Sequence, residues 1–214
     1  MRALRILLPA ALLAAALLQG CAPVVMVGAG AAVMSYEDRR TTGAQVDDQT
    51  IELRAGNRID DRFGSRVHVN VTSYNRYVLL TGEVPDEAAR SEIEKSVRGV
   101  TNVLGVTNDL QVAGVSSATS RSNDTFLTTS VKTRFLNSDK FNGIHVKVVT
   151  EASVVYLLGV VTEQEATDAV ELARTTSGVR KVVKMFEYCK PTDAICAPRP
   201  PSKPAEQRPP RASL

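Results

Sequence analysis

The chain has 214 residues, a formal net charge of +3, 5% aromatic residues and no tryptophan. This length is enough for one or two small domains. The mild charge argues against a nucleic-acid-binding protein, in which a basic patch interleaved with aromatic residues is expected. With three cysteines and two histidines, the chain has no CxxC pair and no dense metal cluster, so we expect neither a metal ion nor a cofactor.

Residues 1–20 have the pattern of a lipoprotein signal peptide. Basic Arg2 and Arg5 precede an apolar run over 6–18 that is short for a membrane span. Leu18-Gln19-Gly20-Cys21 resembles a bacterial lipobox, which predicts cleavage before Cys21 and its acylation; an ordinary secretory signal with an accidental cysteine is the alternative. By resemblance to lipoprotein sorting in Gram-negative bacteria, Ala22 implies export to the outer membrane and a lipid-anchored chain on its periplasmic face.

One segment occurs twice in the chain, at a spacing of 77 residues. Residues 67–82 and 144–159 each predict a β-hairpin, because a strand with alternating apolar residues is followed by a denser apolar strand that ends at glycine. His68 and His145 occupy equivalent positions in the two copies. The repeat indicates two copies of one domain.

A tether over 21–46 precedes the first copy, and is either a flexible spacer or a segment lying against the bilayer. The first domain, 47–112, begins with a helix that we expect Asp47 and Asp48 to cap. Its buried stripe recurs every four residues, and a second helix opens at Pro85. The predicted core positions of these two helices are Ile51, Ala55, Ile59, Ala89, Ile93 and Val97.

A small-residue linker over 113–122 is short enough to keep the two domains close. The second domain, 123–189, repeats the order, with Asn123 and Asp124 as the expected cap of its first helix. A capping box formed by Thr162 and Glu165 opens its second helix. The fold class is therefore α+β: two α-β-β-α-β units, each with two helices packed on a small three-stranded mixed sheet.

Residues 190–214 hold seven of the ten prolines and are predicted to form a disordered tail. Cys189 directly precedes this tail, and Cys196 lies near its start. In an oxidising compartment a disulfide between them is expected, the alternative being two free thiols on a mobile segment.

Two α-β-β-α-β units behind a lipobox resemble the BON-domain family. The likeness extends to about Tyr188 and rests on the order of helices and strands, the spacing of the two units and several motifs: Val69-Asn70-Val71-Thr72, Leu79-Leu80-Thr81-Gly82, Ser122-Asn123-Asp124-Thr125 and Leu158-Gly159-Val160-Val161-Thr162-Glu163.

The resemblance implies a non-enzymatic protein that binds anionic phospholipid (phosphatidylglycerol) through its second BON domain. It also implies a part in outer-membrane integrity at division sites and contact with the outer-membrane assembly machinery. The proline-rich tail and the cysteine pair depart from the family pattern.

The first helix of the second domain offers a candidate lipid-binding surface. Leu127, Val131 and Phe135 define its buried side, and Phe126 and Leu136 lie roughly 140° away on a helical projection. We call Phe126, Thr129, Lys132, Thr133 and Leu136 the outer strip, and Lys140 and Phe141 follow it in the next loop. An apolar strip beside lysine suits a helix on a membrane surface; packing of Phe126 and Leu136 against the first domain or against another subunit is the alternative.

The first helix of the first domain serves as an internal comparison. Phe126, Lys132 and Leu136 correspond there to Thr50, Gly56 and Asp60, so we expect the second domain alone to contact the bilayer. Leu53, opposite Thr129, is an exception that we expect to pack on the other domain.

No nucleophile–base pair or glycine-rich phosphate loop is apparent, so we expect neither an enzyme nor a small-molecule substrate. His68 and His145 lie between inward-pointing residues and should face away from the helices. We see no Cys, Asp or Glu at ligand spacing beside them. The alternative function is an interaction scaffold, in which Phe126 and Leu136 contact outer-membrane assembly or peptidoglycan-remodelling proteins.

Overall fold

The computed structural model describes residues 38–197. The predicted signal peptide, the predicted acylation site Cys21, the tether up to residue 37 and the tail from residue 198 lie outside the described residues. Within 38–197, no helix combines the length and the apolar composition needed to cross a membrane.

The first domain has the predicted order of helices and strands. Helix α1 (Thr42–Phe63) is followed by strands β1 (His68–Tyr74) and β2 (Tyr77–Val84), helix α2 (Glu87–Arg98), and strands β3 (Gly105–Asn108) and β4 (Gln111–Val112). Strands β1 and β2 form an antiparallel hairpin, and β3 and β4 both pair parallel to β2. One strand was predicted where β3 and β4 are found. The Asn108 side chain accepts the backbone N–H of Leu110, and this local turn interrupts the ladder.

The second domain repeats the arrangement. Helix α3 (Ala118–Leu136) precedes strands β5 (Val146–Glu151) and β6 (Val154–Val161), helix α4 (Glu163–Arg174) and strand β7 (Lys181–Tyr188). Strand β6 pairs antiparallel with β5 and parallel with β7. The two α-β-β-α-β units and their mixed sheets confirm the predicted α+β fold.

Each domain has a core between its helices and its sheet, and the predicted helix stripes supply it. Apolar residues repeat at the helical period on the side that packs inward, and those of both α1 and α2 are buried: Ile51, Ala55, Ile59, Ala89, Ile93 and Val97. In the second domain Val131 and Phe135 of α3 pack against Ala166, Ala169 and Ala173 of α4. The periodicity therefore predicted the core positions correctly.

A third core lies between the two sheets, on the faces that the helices leave uncovered. Strand β2 turns Val78 and Leu80 toward the helices, while Leu79 on its other face packs with residues of β6. This interdomain core consists of Tyr74, Leu79, Tyr156, Leu158, Val160 and Cys196. Both faces of β2 and β6 are thus buried, which explains why these two strands are denser in apolar residues than β1 and β5.

Polar contacts join the domains around the interdomain core. The Tyr156 hydroxyl donates to Asp109 Oδ2 at 2.6 Å, and Lys147 Nζ contacts Glu52 Oε1 at 2.9 Å. Cys189 and Cys196 form a disulfide with a Cα–Cα distance of 6.2 Å. Since Cys196 is part of the interdomain core, the disulfide fixes the chain after β7 against the sheets.

The helices begin earlier than the sequence suggested. Thr41 caps α1 and Ser117 caps α3 through their side-chain oxygens, so the predicted caps Asp47-Asp48 and Asn123-Asp124 are wrong. The last residues assigned to the tether and to the linker are therefore helical. Thr41 and Ser117 each accept one free N–H group of the first turn, from Ala44 and Ser120, which lets each helix start upstream of the acidic pair.

Two of these acidic residues have another role in the structure. Buried Asp48 accepts the backbone N–H groups of Asn75 and Arg76 in the β1–β2 turn, at 2.8 and 2.7 Å. Asp124 does the same for the turn between β5 and β6, through Ala152 and Ser153. All four turn residues have positive φ, as a two-residue hairpin turn of type I′ requires. Each aspartate therefore fixes a hairpin to the first helix of its own domain.

Candidate membrane-binding face

Helix α3 carries two large apolar side chains on its solvent side. Phe126 and Leu136 are each 67% exposed, while Leu127, Val131 and Phe135 of the same helix are buried. The expected separation of an inner and an outer apolar side is therefore present. Since both side chains are this exposed, neither packs against the first domain within residues 38–197.

The hydroxyl groups of the outer strip are already hydrogen-bonded within the helix. Thr129 Oγ1 donates to the carbonyl of Thr125 at 3.0 Å, and Thr133 Oγ1 donates to that of Thr129 at 2.9 Å. Threonine commonly makes this bond to the carbonyl four residues earlier. The hydroxyl protons are thus satisfied without water, so the surface between Phe126 and Leu136 is less polar than its composition suggests.

Of the predicted cationic contacts, Lys132 is the more available. Lys132 is exposed, and within residues 38–197 it forms no ion pair. Lys140 is also exposed, but its Nζ lies 3.2 Å from Asp168 Oδ1. Hydrogen bonds from Gln164 and Lys140 lower the pKa of the Asp168 carboxyl. An anionic ligand therefore competes with Asp168 for Lys140, whereas Lys132 has its full charge free.

Phe141 does not belong to this surface. It is 8% exposed and its ring packs edge-on against Phe135, with centroids 5.2 Å apart. The prediction of Phe141 as a lipid contact is wrong, because the chain turns back after the C-cap residue Asn137 and returns Phe141 to the core. Five of the seven proposed contacts, those of the outer strip, share one face of α3.

The equivalent helix α1 is different but is not free of exposed apolar residues. Thr50, Gly56 and Asp60 stand at the positions of Phe126, Lys132 and Leu136. Leu53 is 64% exposed, so the expectation that it packs on the other domain is wrong. Val46, two turns earlier, is exposed as well. Helix α1 thus presents two aliphatic side chains, without the phenyl ring and lysine of α3.

Beside the outer strip lies a cleft that sequence reasoning missed. Thr125, Thr129 and Lys132 form one side of it, while His68 and Glu151 lie on the other. His68 Nδ1 is 2.9 Å from Glu83 Oε2, so the statement that no acidic residue stands beside the histidine is wrong. Glu83 faces His68 across the β1–β2 ladder, a relation that the hairpin register alone could have revealed.

Glu151 reaches the same cleft from the second domain. Asn70 Nδ2 donates to Glu151 Oε2 at 2.7 Å across the domain boundary. Burial raises the pKa of the Glu151 carboxyl above its ordinary value, an effect that Asn70 opposes. The equivalent histidine, His145, lies in a short 3-10 turn before β5 rather than in the predicted strand, 3.5 Å from Glu165.

Comparison with known proteins places the chain in a family. The model of the BON domain matches residues 47–114 and 123–190. The chain is 38% identical to the outer membrane lipoprotein DolP of Haemophilus influenzae over 173 residues, which cover 80% of this chain and 90% of that protein. It is 31% identical to the 21 kDa hemolysin of Actinobacillus pleuropneumoniae over 71% of this chain and 79% of the hemolysin.

Solved structures add little to this comparison. The C-terminal domain of CdsD, a structural protein of the type III secretion system of Chlamydia trachomatis, matches 64% of this chain and 96% of its own at 12% identity, with a TM-score of 0.28. That score is too low to support an inference. From the two matched domains and the similarity to DolP, the chain belongs to the BON domain family and contains two BON domains in tandem.

Proposed function

We propose that the protein is an outer-membrane lipoprotein, held on the periplasmic face by acyl chains on Cys21, that binds anionic phospholipid through the outer strip of α3. Phosphatidylglycerol is the expected lipid. The protein acts without catalysis and supports outer-membrane integrity, at division sites and in contact with the outer-membrane assembly machinery. The observation that carries this proposal is the exposure of Phe126 and Leu136 on one face of a helix whose core side is already filled.

The similarity to DolP supports the proposed location. That relative is named an outer membrane lipoprotein, and the alignment covers nearly its whole length. The lipobox-like Leu18-Gln19-Gly20-Cys21 of this chain agrees with such an anchor.

The free energies of membrane binding differ between the acyl anchor and the outer strip of α3. Burying one phenylalanine and one leucine side chain gives about 1.5–3 kcal/mol each, and a lysine near an anionic surface adds about 1 kcal/mol. An acyl chain gives about 0.8 kcal/mol for each buried methylene group, and stable anchoring needs more than one such signal. The acyl chains therefore keep the protein on the membrane, while the outer strip orients the second domain and selects the lipid.

The test is binding to vesicles by the mature chain without acyl groups, made by Cys21→Ser. Vesicles of phosphatidylcholine with and without phosphatidylglycerol are compared by co-sedimentation. We expect Phe126→Glu to weaken binding at least about tenfold, since it removes more than about 1.4 kcal/mol of burial and adds a repelled charge. Lys132→Gln should weaken binding about fivefold, and only where the anionic lipid is present.

Leu53→Glu is the matched control. Leu53 lies on the equivalent helix α1 and is 64% exposed, close to the 67% of Phe126. The variant therefore introduces the same charge on a similar surface of the other domain. We expect its vesicle binding to equal that of the unmodified chain. Equal losses in Phe126→Glu and Leu53→Glu, or binding without any need for anionic lipid, would contradict the proposal. That outcome favours an interaction scaffold that uses Phe126 and Leu136 to contact proteins.

A further inference from the structure

Three groups that can bind a metal ion lie together beside α3: His68 and Glu151 line the cleft, and Glu83 adjoins His68. His68 is the first residue of β1, and Glu83 lies opposite it on β2, with His68 Nδ1 2.9 Å from Glu83 Oε2. Glu151 is the last residue of β5 in the second domain. Each of the three offers a ligand atom, and these atoms all lie within 4.8 Å of one another. Residues distant in the sequence are thus brought to one point by the packing of the two domains.

The charges at this point are poorly balanced by protein groups. Glu83 and Glu151 are 7% and 6% exposed, and two nearby carboxylates removed from water are unfavourable unless a cation accompanies them. Within residues 38–197, His68 is the one group in ion-pair contact with either of them. Arg121 and Lys132 line the same cleft but form no ion pair with these carboxylates.

Neutral donors hold the two carboxylates in place. The Ser116 backbone N–H donates to Glu83 Oε2 at 3.1 Å, and Asn70 donates to Glu151 Oε2 at 2.7 Å. Hydrogen bonds of this kind orient carboxylate ligands around a metal ion without neutralising them. The negative charge therefore stays directed into the cleft.

The ligand set selects a class of metal. An imidazole nitrogen with carboxylate oxygens suits Zn²⁺ and its transition-metal neighbours, whereas Mg²⁺ and Ca²⁺ prefer oxygen ligands alone. Tetrahedral zinc with bonds of about 2.0–2.2 Å needs ligand atoms roughly 3.3–3.6 Å apart. The three ligand atoms lie within 4.8 Å of one another, so binding requires the side chains to shift toward that spacing.

We propose that His68, Glu83 and Glu151 bind one divalent transition-metal ion of the Zn²⁺ class, with water as the fourth ligand. Since two ligands come from the first domain and one from the second, the bound ion links the two BON domains. The proposed ligands are separate from Phe126 and Leu136, although Thr129 and Lys132 of the outer strip line the same cleft. The positions equivalent to these three residues are His145, Val160 and Tyr74, so the repeat supplies a second histidine but no carboxylate at the two other equivalent positions.

The experiment uses the full-length mature protein in an uncharged detergent. Equilibrium dialysis against Zn²⁺ followed by elemental analysis gives the stoichiometry and the Kd, and Co²⁺ gives a visible absorption band that reports tetrahedral coordination. We expect one ion per chain and a Tm that rises with Zn²⁺ concentration, because the ion binds the folded state. His68→Gln, Glu83→Gln and Glu151→Gln should each raise the Kd at least about tenfold and remove the Co²⁺ band.

His145→Gln is the matched control. The whole chain has two histidines, so this pair of variants decides which imidazole binds the ion. His145→Gln should keep the stoichiometry, the Kd and the Co²⁺ band. Each glutamate variant removes a buried charge and keeps the side-chain shape, so circular dichroism without metal should match the unmodified protein.

If one of the ligand variants does not fold, the variant Asn70→Ala is used in the same measurements. This change leaves the three ligands and removes the hydrogen bond to Glu151, and we expect a Kd about tenfold higher. The proposal is overturned by the absence of one-site Zn²⁺ binding, by a Kd that the ligand variants or Asn70→Ala leave unchanged, or by loss of binding in His145→Gln with binding kept in His68→Gln.

Discussion

Arg39 connects the segment before α1 to the second domain, and its removal gives a sharp prediction. Its guanidinium is bidentate on Glu165, with Nη1 2.7 Å from Oε2 and Nη2 2.9 Å from Oε1. Nη1 also donates to the carbonyl of Val160 at 2.9 Å. Arg39 is 8% exposed, so these are among the least hydrated charges that the structure describes.

Replacing Arg39 with alanine leaves Glu165 without its cation. Removing one partner of a buried ion pair destabilises a protein by about 3–5 kcal/mol. Glu165 retains some exposure and keeps the backbone N–H of Thr162 as a donor, so we expect a loss of about 2–3 kcal/mol. With a urea m-value of about 2 kcal/mol/M, the unfolding midpoint should fall by about 1–1.5 M.

Urea unfolding followed by circular dichroism measures this loss. Arg174→Ala is the control, because Arg174 pairs with Glu171 on an open helix surface, where such a pair contributes less than about 0.5 kcal/mol. Arg39→Lys should recover less than half of the loss, since an ammonium group cannot be bidentate. A midpoint for Arg39→Ala within about 0.2 M of that for Arg174→Ala would refute this account.

Three further predictions follow from single sites. Burial raises the pKa of Glu165, but hydrogen bonds from Arg39 and from a backbone N–H outweigh it and lower the pKa to about 2. This carboxylate therefore stabilises the protein above about pH 4.5, and pH-dependent urea unfolding should show about 1–2 kcal/mol lost as the pH falls toward 2. Phe141→Ala should cost about 3–4 kcal/mol of unfolding free energy and Leu136→Ala less than about 0.5, by the same assay. Gly82→Ala should lower the Tm by more than about 5 °C, because Gly82 has a φ of 114° and an added Cβ would lie 2.0 Å from a carbonyl oxygen of β1.

The parts of this fold that could be predicted are those that burial imposes on local sequence. Ile51, Ala55 and Ile59 recur at the helical period because one side of α1 is buried. The hairpin alternation in β1 and β5 has the same origin at a period of two. In both cases the pattern depends on which face is buried, and neither requires knowledge of the partner.

What could not be predicted depends on contacts between distant segments. Asp48 and Asp124 fit the pattern of a helix cap, yet they bind the turns of hairpins whose positions only the tertiary structure fixes. Phe141 follows the end of α3, where periodicity carries no information about the path of the chain. Glu151 approaches His68 across the domain boundary, so no spacing within either repeat could associate them.

The tandem arrangement explains why α3 is free to contact another surface. Leu79 on β2 and Tyr156 and Leu158 on β6 are buried by the opposing sheet, and exposing them would cost about 1.5–3 kcal/mol each. Neither domain alone would cover these residues, so the pair of domains is the unit that completes the fold. Because the sheets meet at their bare faces, both helix layers must point outward. The repeat therefore stabilises the protein from within and leaves the outer face of each first helix to diverge, with Phe126 and Leu136 on α3 as the result.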